Sequence, residues 1–116
     1  MVFSRSYRLK NKQDFQAIFD QPFKVTHRYF QALFRLNERS HARLGLMIAK
    51  HRVPRAVDRN KIRRIIRESF REHAPLLKGL DIIVLLRQAL SRDVTKAQLR
   101  VDVEHLWQRI LKHPVR

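Results

Sequence analysis

Residues 55–71 read RAVDRNKIRRIIRESFR, a segment that combines seven cationic side chains with regularly spaced apolar ones. At about 100° per residue, a helix through this segment gathers the apolar side chains on one side and most of the cations opposite. The apolar side holds Ile62, Ile65, Ile66, Ser69 and Phe70, and the other side holds Asn60, Arg63, Arg64, Arg67 and Arg71. The segment therefore predicts a helix with an apolar back that packs on a core and a basic front.

The basic front has two interpretations, a solvated helix face or a binding surface. Solvated faces usually include acidic residues, but residues 59–67 contain none. Arginine outnumbers lysine six to one in the segment, and a guanidinium can bind a phosphate through two parallel N–H groups. The pattern favours a surface that binds RNA or DNA.

The composition of the whole chain agrees with a nucleic-acid partner. The 116 residues include 26 Lys and Arg against 10 Asp and Glu, for a formal charge of +16, and such a charge attracts phosphate. The absence of cysteine excludes disulfides and cysteine zinc sites and fits a reducing compartment. No apolar run approaches the roughly 20 residues of a membrane span, and the N-terminus lacks the apolar core of a signal peptide. We therefore expect a cytoplasmic protein without a membrane partner.

The flanking segments predict alternating helices and strands. Asn11 with Asp14 is typical of a helix start, and Pro22 ends that helix. Thr95 with Gln98 is a capping box that opens a last helix, with apolar residues at helical spacing. The apolar residues of that helix are Leu99, Val103, Leu106, Trp107 and Ile110.

Strands are predicted at residues 29–36, 43–50 and 80–87, with a further short strand near 23–26. In 29–36 the alternation places Leu33 on the face expected to be wet, and in 43–50 Gly45 belongs to a low-profile face with room for a ligand. Residues 80–87 are apolar on both faces, as in a central strand. The expected fold is α+β, a small two-layer α/β sandwich with a mixed sheet and helices on one face. It forms a single domain over residues 1–116, with short flexible ends at about 1–6 and 112–116.

Catalysis by the protein itself is not expected. The ten carboxylates are scattered, and helix salt pairing explains Glu68 and Glu72 among the arginines. The six histidines lack the spacing of a zinc helix, and two glycines cannot form a phosphate-binding loop. Phe15 and Phe19, one helical turn apart, are either core residues or platforms on which bases stack. An autonomous ribonuclease stays open as an alternative class.

The segment Arg59-Asn60-Lys61-Ile62-Arg63-Arg64 resembles the Arg-Asn-Arg box of the protein subunit of bacterial ribonuclease P. Further segments follow the order and spacing of that family over most of residues 5–111. They are 43–50 (RLGLMIAK), Ala56-Val57, 67–70 (RESF), Asp14-Phe15 and 80–84 (LDIIV). Lys61 departs from the box, since it replaces the second arginine and loses the guanidinium fork.

The resemblance implies a ribonucleoprotein in which an RNA subunit, with Mg²⁺, cleaves precursor transfer RNA to free its mature 5′ end. The protein would assist, with no catalytic residue, and would need no obligate protein partner. By position in the family, the residues implied to contact the catalytic RNA are Arg59, Asn60, Lys61 and Arg64. Those implied to line a cleft for the 5′ leader are Phe15, Phe19, Lys50, Arg63 and Arg67, with Leu33 where some members carry a tyrosine.

The resemblance also implies a ribosomal protein S5 domain 2-like fold with a left-handed β-α-β crossover. His51 stands where a second lysine often follows Lys50 in the family. Charge and the α/β pattern alone would equally fit a ribosomal or other structural RNA-binding protein without a processing role, and only the motif separates the two.

Overall fold

The computed structural model describes residues 7–114, so residues 1–6 and 115–116 of the predicted flexible ends lie outside the described part. The helices are α1 (Lys12–Asp20), α2 (Ala56–His73) and α3 (Lys96–Lys112), and a 3-10 turn follows α2 at Ala74–Leu77. The strands are β1 (Phe23–His27), β2 (Phe30–Leu36), β3 (Arg43–Met47) and β4 (Leu80–Leu86). Both predicted helix starts are confirmed, because Asn11 caps α1 and Thr95 caps α3 through their side chains.

Within residues 7–114 the strands form one mixed sheet in the order β1-β2-β4-β3. β1, β2 and β4 are antiparallel neighbours, whereas β3 runs parallel to β4. The interior position of β4 confirms the predicted central strand. The connection from β3 to β4 contains α2, which makes the β-α-β unit that the family resemblance implies; its left-handed sense stays a prediction.

The main core lies between the sheet and the pair α2 and α3. The apolar stripe predicted for α2 is buried as a whole, and so is that of α3. Ser69 belongs to the α2 stripe because its hydroxyl accepts a hydrogen bond from the indole Nε1 of Trp107 at 2.9 Å. Polar groups in a core stabilise a fold only when they are paired in this way.

α1 does not join this layer, so the expectation of helices on one face is wrong for α1. Ile18 of α1 is buried in a second, smaller cluster with Leu9, Leu33 and Ile83. Leu33 of β2 pairs with Ile83 of β4. Because these two adjacent side chains are apolar, burying them under α1 on the outer face of the sheet is favourable. Leu33 is consequently 6% exposed, which also contradicts the wet face predicted for it.

One further boundary differs from the sequence prediction. β3 ends at Met47 instead of residue 50, and Lys50 lies in the turn before α2. Lys112 belongs to α3, and the ring of His113 packs against Phe23 and Phe34. The flexible end at about 112–116 stays a prediction. Among the helices of residues 7–114, none combines the length and apolar character needed to cross a lipid bilayer.

Candidate nucleic-acid interface

A cleft of about 360 Å³ opens at the β3 edge of the sheet. The segment before α1 runs beside this edge, where the Leu9 N–H donates to the Leu44 carbonyl at 3.0 Å. The walls are formed by Arg8, Leu9, Lys10, Phe15, Leu44, Gly45, Leu46, Arg63 and Arg67. The segment before α1, strand β3 and the helices α1 and α2 thus meet at this opening. Together they bring four cations and the aromatic ring of Phe15 to it.

The ring of Phe15 lies directly over Gly45. A Cβ atom at residue 45 would be 2.7 Å from Cζ of Phe15 and 3.1 Å from Cδ1 of Leu9. These distances are well inside carbon–carbon contact, so a glycine is needed for Phe15 to keep this position. Phe15 is only half-buried there, which leaves part of its ring available to a ligand.

Gly45→Ala is therefore expected to lower the free energy of unfolding by about 1–3 kcal/mol, the usual cost of overpacking. Urea unfolding of the variant measures this loss. Combining Gly45→Ala with Phe15→Leu, which removes the ring atoms that clash, should recover part of the stability. If the double variant is as unstable as the sum of the two single variants, the ring of Phe15 does not occupy this position.

The arginines of the cleft are crowded by like charge. Burial and then the positive charges of Arg8 and Arg63 lower the pKa of Arg67. Within the described residues, no carboxylate forms a salt bridge with Arg63 or Arg67. Arg63 instead donates from Nη1 to Oδ1 of Asn60 at 3.1 Å. A phosphate group in the cleft would supply the negative charge that these side chains lack.

The residues predicted to contact the RNA subunit have different surroundings along α2. Arg59 donates from Nη1 to the carbonyls of Val53 at 2.9 Å and Pro54 at 2.8 Å, so it ties the helix to the preceding loop. Asn60, Lys61 and Arg64 are exposed. The helix therefore presents an exposed polar and cationic face next to the cleft. Asn60 connects the two, because it belongs to the exposed face and accepts the hydrogen bond from Arg63 of the cleft.

The structure brings together only part of the predicted leader cleft. Phe15, Arg63 and Arg67 line it, whereas Phe19 and Lys50 are exposed but are not among its lining residues, and Leu33 is buried under α1. Sequence reasoning missed Arg8 and Lys10 as part of the wall. The alternation of residues 7–10, Tyr-Arg-Leu-Lys, was the available signal, since it is typical of a segment lying along a strand.

The described residues that line the cleft include no group of metal ligands. Among residues 7–114, the group of His, Cys, Asp or Glu side chains close enough to share an ion is His27, Asp102 and His105. β1, which carries His27, and β3 are opposite edges of the sheet, about 14 Å apart at the usual strand spacing. Mg²⁺ prefers oxygen ligands, and none of the described residues that line the cleft carries a carboxylate.

A small α+β fold with an arginine-lined cleft and an exposed basic helix face defines an RNA-binding protein. The family model described as Ribonuclease P matches residues 3–111. The chain belongs to this family, as a protein component of ribonuclease P, which confirms the resemblance seen in its basic helix.

Relatives and solved structures agree with this assignment. The ribonuclease P protein component of Stutzerimonas stutzeri is 40% identical over 98% of this chain and 87% of its own length. That of Marinobacter nauticus is 42% identical over 97% and 84%. The Staphylococcus aureus RNase P protein superimposes with a TM-score of 0.81 at 38% identity, over 90% of this chain and 94% of that one. The Thermotoga maritima protein gives 0.77 at 34%, over 88% and 96%. The predicted fold class is confirmed by these neighbours.

Proposed function

We propose that this chain is a subunit that assists RNA-catalysed cleavage, holding the 5′ leader of precursor transfer RNA in the cleft at β3. The observation that carries the proposal is the juxtaposition of the half-buried ring of Phe15 with Arg63 and Arg67. Single strands bind where an aromatic ring can stack on a base and nearby cations follow the phosphates. Bases of a duplex are already stacked on each other, so an unpaired leader fits this surface better.

The RNA subunit is proposed to lie against the exposed face of α2. Asn60, Lys61 and Arg64 are available there, and Arg59 holds the start of the helix to its preceding loop. Arg63 and Arg67 of the cleft are on the same helix. One rigid element would then hold the leader and the RNA subunit side by side, with no further protein required.

Cleavage itself is proposed to belong to the RNA subunit and the Mg²⁺ that it binds. The cations of this chain would contribute by screening the repulsion between leader and RNA phosphates, which lowers the Mg²⁺ concentration needed for assembly. No step of the chemistry is assigned to a side chain of this protein. Such a ribonucleoprotein would act in the cytoplasm on precursor transfer RNA.

Replacing Glu68 or Glu72 by Gln, or His73 by Asn, should therefore leave the chemical step within a few-fold of wild type. Loss of a true general acid or base costs on the order of 10² to 10⁴ in rate. The measurement is single-turnover cleavage by the holoenzyme at saturating protein and high Mg²⁺. A variant that remains a thousandfold slow under these conditions would place part of the active site in the protein.

RNA that copurifies with the chain tests the proposal against a structural role in another ribonucleoprotein. A single species that cleaves precursor transfer RNA after reconstitution supports it. Copurifying ribosomal RNA, with no cleavage after reconstitution with the ribonuclease P RNA of the same organism, would contradict it.

A further inference from the structure

Two histidines and a buried aspartate meet at the β1 edge of the sheet, opposite the cleft. His27 is the last residue of β1, and Asp102 and His105 are three residues apart on α3. Nε2 of His27 lies 3.2 Å from Nδ1 of His105 and 3.4 Å from Oδ1 of Asp102. The three ligand atoms all lie within 4.8 Å of one another.

These separations suit a small tetrahedral cation. With bonds of about 2.0–2.1 Å, a tetrahedral Zn²⁺ site holds each pair of ligand atoms about 3.3 Å apart. Two of the three separations already have this size. Two imidazole nitrogens and one carboxylate oxygen form a donor set typical of zinc and unsuited to Mg²⁺.

Asp102 has an oxygen for which the described residues provide no partner. Its side chain is fully buried, and Oδ1 accepts from Nε2 of Gln98 at 3.0 Å and lies 3.2 Å from Nε of Arg28. Oδ2 is buried without a hydrogen-bond partner among residues 7–114. Buried acceptors are almost always paired, so Oδ2 has capacity for a further ligand, whereas Oδ1, the oxygen nearest His27, is already paired with Gln98 and Arg28. Gln98 meanwhile orients the carboxylate, as outer partners do at metal sites.

The group of His27, Asp102 and His105 is accessible from solvent on one side. An open cavity of about 600 Å³, with His27, His105, Arg109 and Lys112 among its lining residues, gives water access to the group. Its two cations would favour an anion or hydroxide as the fourth ligand.

We propose that His27, Asp102 and His105 form a Zn²⁺ site that fastens the β1–β2 hairpin to α3. Nothing in the cleft or on the exposed face of α2 takes part, so the site is independent of the function proposed above. The ion would cross-link two segments separated by 78 positions in the chain. The alternative is a purely structural network in which Asp102 pairs with Arg28 and the two imidazoles share a proton.

The test is Zn²⁺ titration of the metal-free full-length chain, followed by calorimetry and thermal unfolding. We expect one equivalent of Zn²⁺ to bind and to raise the Tm, whereas Mg²⁺ should leave the Tm unchanged. His105 is exposed, so His105→Ala should fold, and its Zn²⁺ affinity should fall at least tenfold. Gln108→Ala, an exposed change on the same helix beside the same cavity, is the matched control and should bind as wild type does.

Substitution with Co²⁺ gives a readout that reports geometry. Intense visible absorption, typical of four-coordinate Co²⁺, is expected in wild type and in Gln108→Ala and should be lost in His105→Ala. Equal Zn²⁺ affinity in His105→Ala and wild type would assign binding to other histidines and overturn the proposal. Absence of Zn²⁺ binding by the folded wild-type chain would overturn it as well.

Discussion

Arg43→Ala is expected to lower the free energy of unfolding by about 3–5 kcal/mol, because it leaves a buried carboxylate without its cation. Arg43 donates from Nε to Oδ1 of Asp81 at 2.8 Å and from Nη2 to Oδ2 at 2.6 Å. Both side chains are largely buried, with exposed fractions of 13% and 11%. This bidentate contact with Asp81 is the main reason that the pKa of Arg43 is raised.

The same pair supports the geometry of the cleft. Arg43 opens β3 and Asp81 lies near the start of β4, so their contact joins the two parallel strands at one end. Nη1 of Arg43 also lies 3.6 Å from Oδ2 of Asp14 in the first turn of α1. Loss of Arg43 should therefore loosen α1, and with it Phe15, in addition to destabilising the sheet.

Chemical unfolding of the wild type and of Arg43→Ala measures the difference. Arg92→Ala is the control, because Arg92 forms a 3.5 Å contact with Asp58 and its side chain is 70% exposed. Exposed pairs of this kind contribute less than about 1 kcal/mol. If Arg43→Ala and Arg92→Ala have equal stability, the contact between Arg43 and Asp81 is not buried in solution.

Simultaneous replacement of Arg63 and Arg67 by alanine should weaken binding of precursor transfer RNA by about ten- to a hundredfold near 0.1 M salt. Each phosphate contact with a single strand contributes about 0.7 to the slope of log K against log salt, so two lost contacts should reduce it by about 1.4. Mature transfer RNA lacks a leader. Its affinity for the holoenzyme should therefore change by no more than a few-fold.

The measurement compares both RNAs at several salt concentrations with reconstituted holoenzyme. Arg87→Ala with Arg100→Ala is the matched control, because it removes the same charge from exposed positions outside the cleft. Circular dichroism and urea unfolding check that both double variants are folded. If the double variant weakens the binding of precursor and mature RNA equally, or if the control variant weakens binding as much, the leader does not bind in this cleft.

Local patterns in the sequence were sufficient for the elements and for the basic face of α2. Ile62, Ile65, Ile66 and Phe70 are buried as their helical spacing predicts, and Asn60 and Arg64 are exposed. These assignments succeed because the period of a helix is a property of the chain itself and needs no knowledge of what the helix packs against. The box at residues 59–64, together with the other segments that follow the order and spacing of the family, likewise identified the family without any contact between distant residues.

The tertiary structure decided which faces meet. Alternation placed Leu33 on the outer face of β2, but only the pairing of β2 with β4 set Ile83 beside it and brought α1 over both. With α1 in this position, Leu33 is buried and the ring of Phe15 lies over Gly45. A two-residue period tells which residues share a face and contains no information on the element that covers it.

The assembled sites depend on strand order in the same way. Residues 8–10 reach the cleft because they run beside β3, an edge strand, and His27 meets Asp102 and His105 because β1 is the opposite edge. Phe19 and Lys50 carry chemistry suited to RNA and are exposed, but they are not among the residues that line the cleft. The sequence by itself therefore determined the helices, the strands, the basic face and the family. Only the order of the strands and the packing of α1 determined which side chains form a cleft, because such contacts join segments that no local periodicity relates.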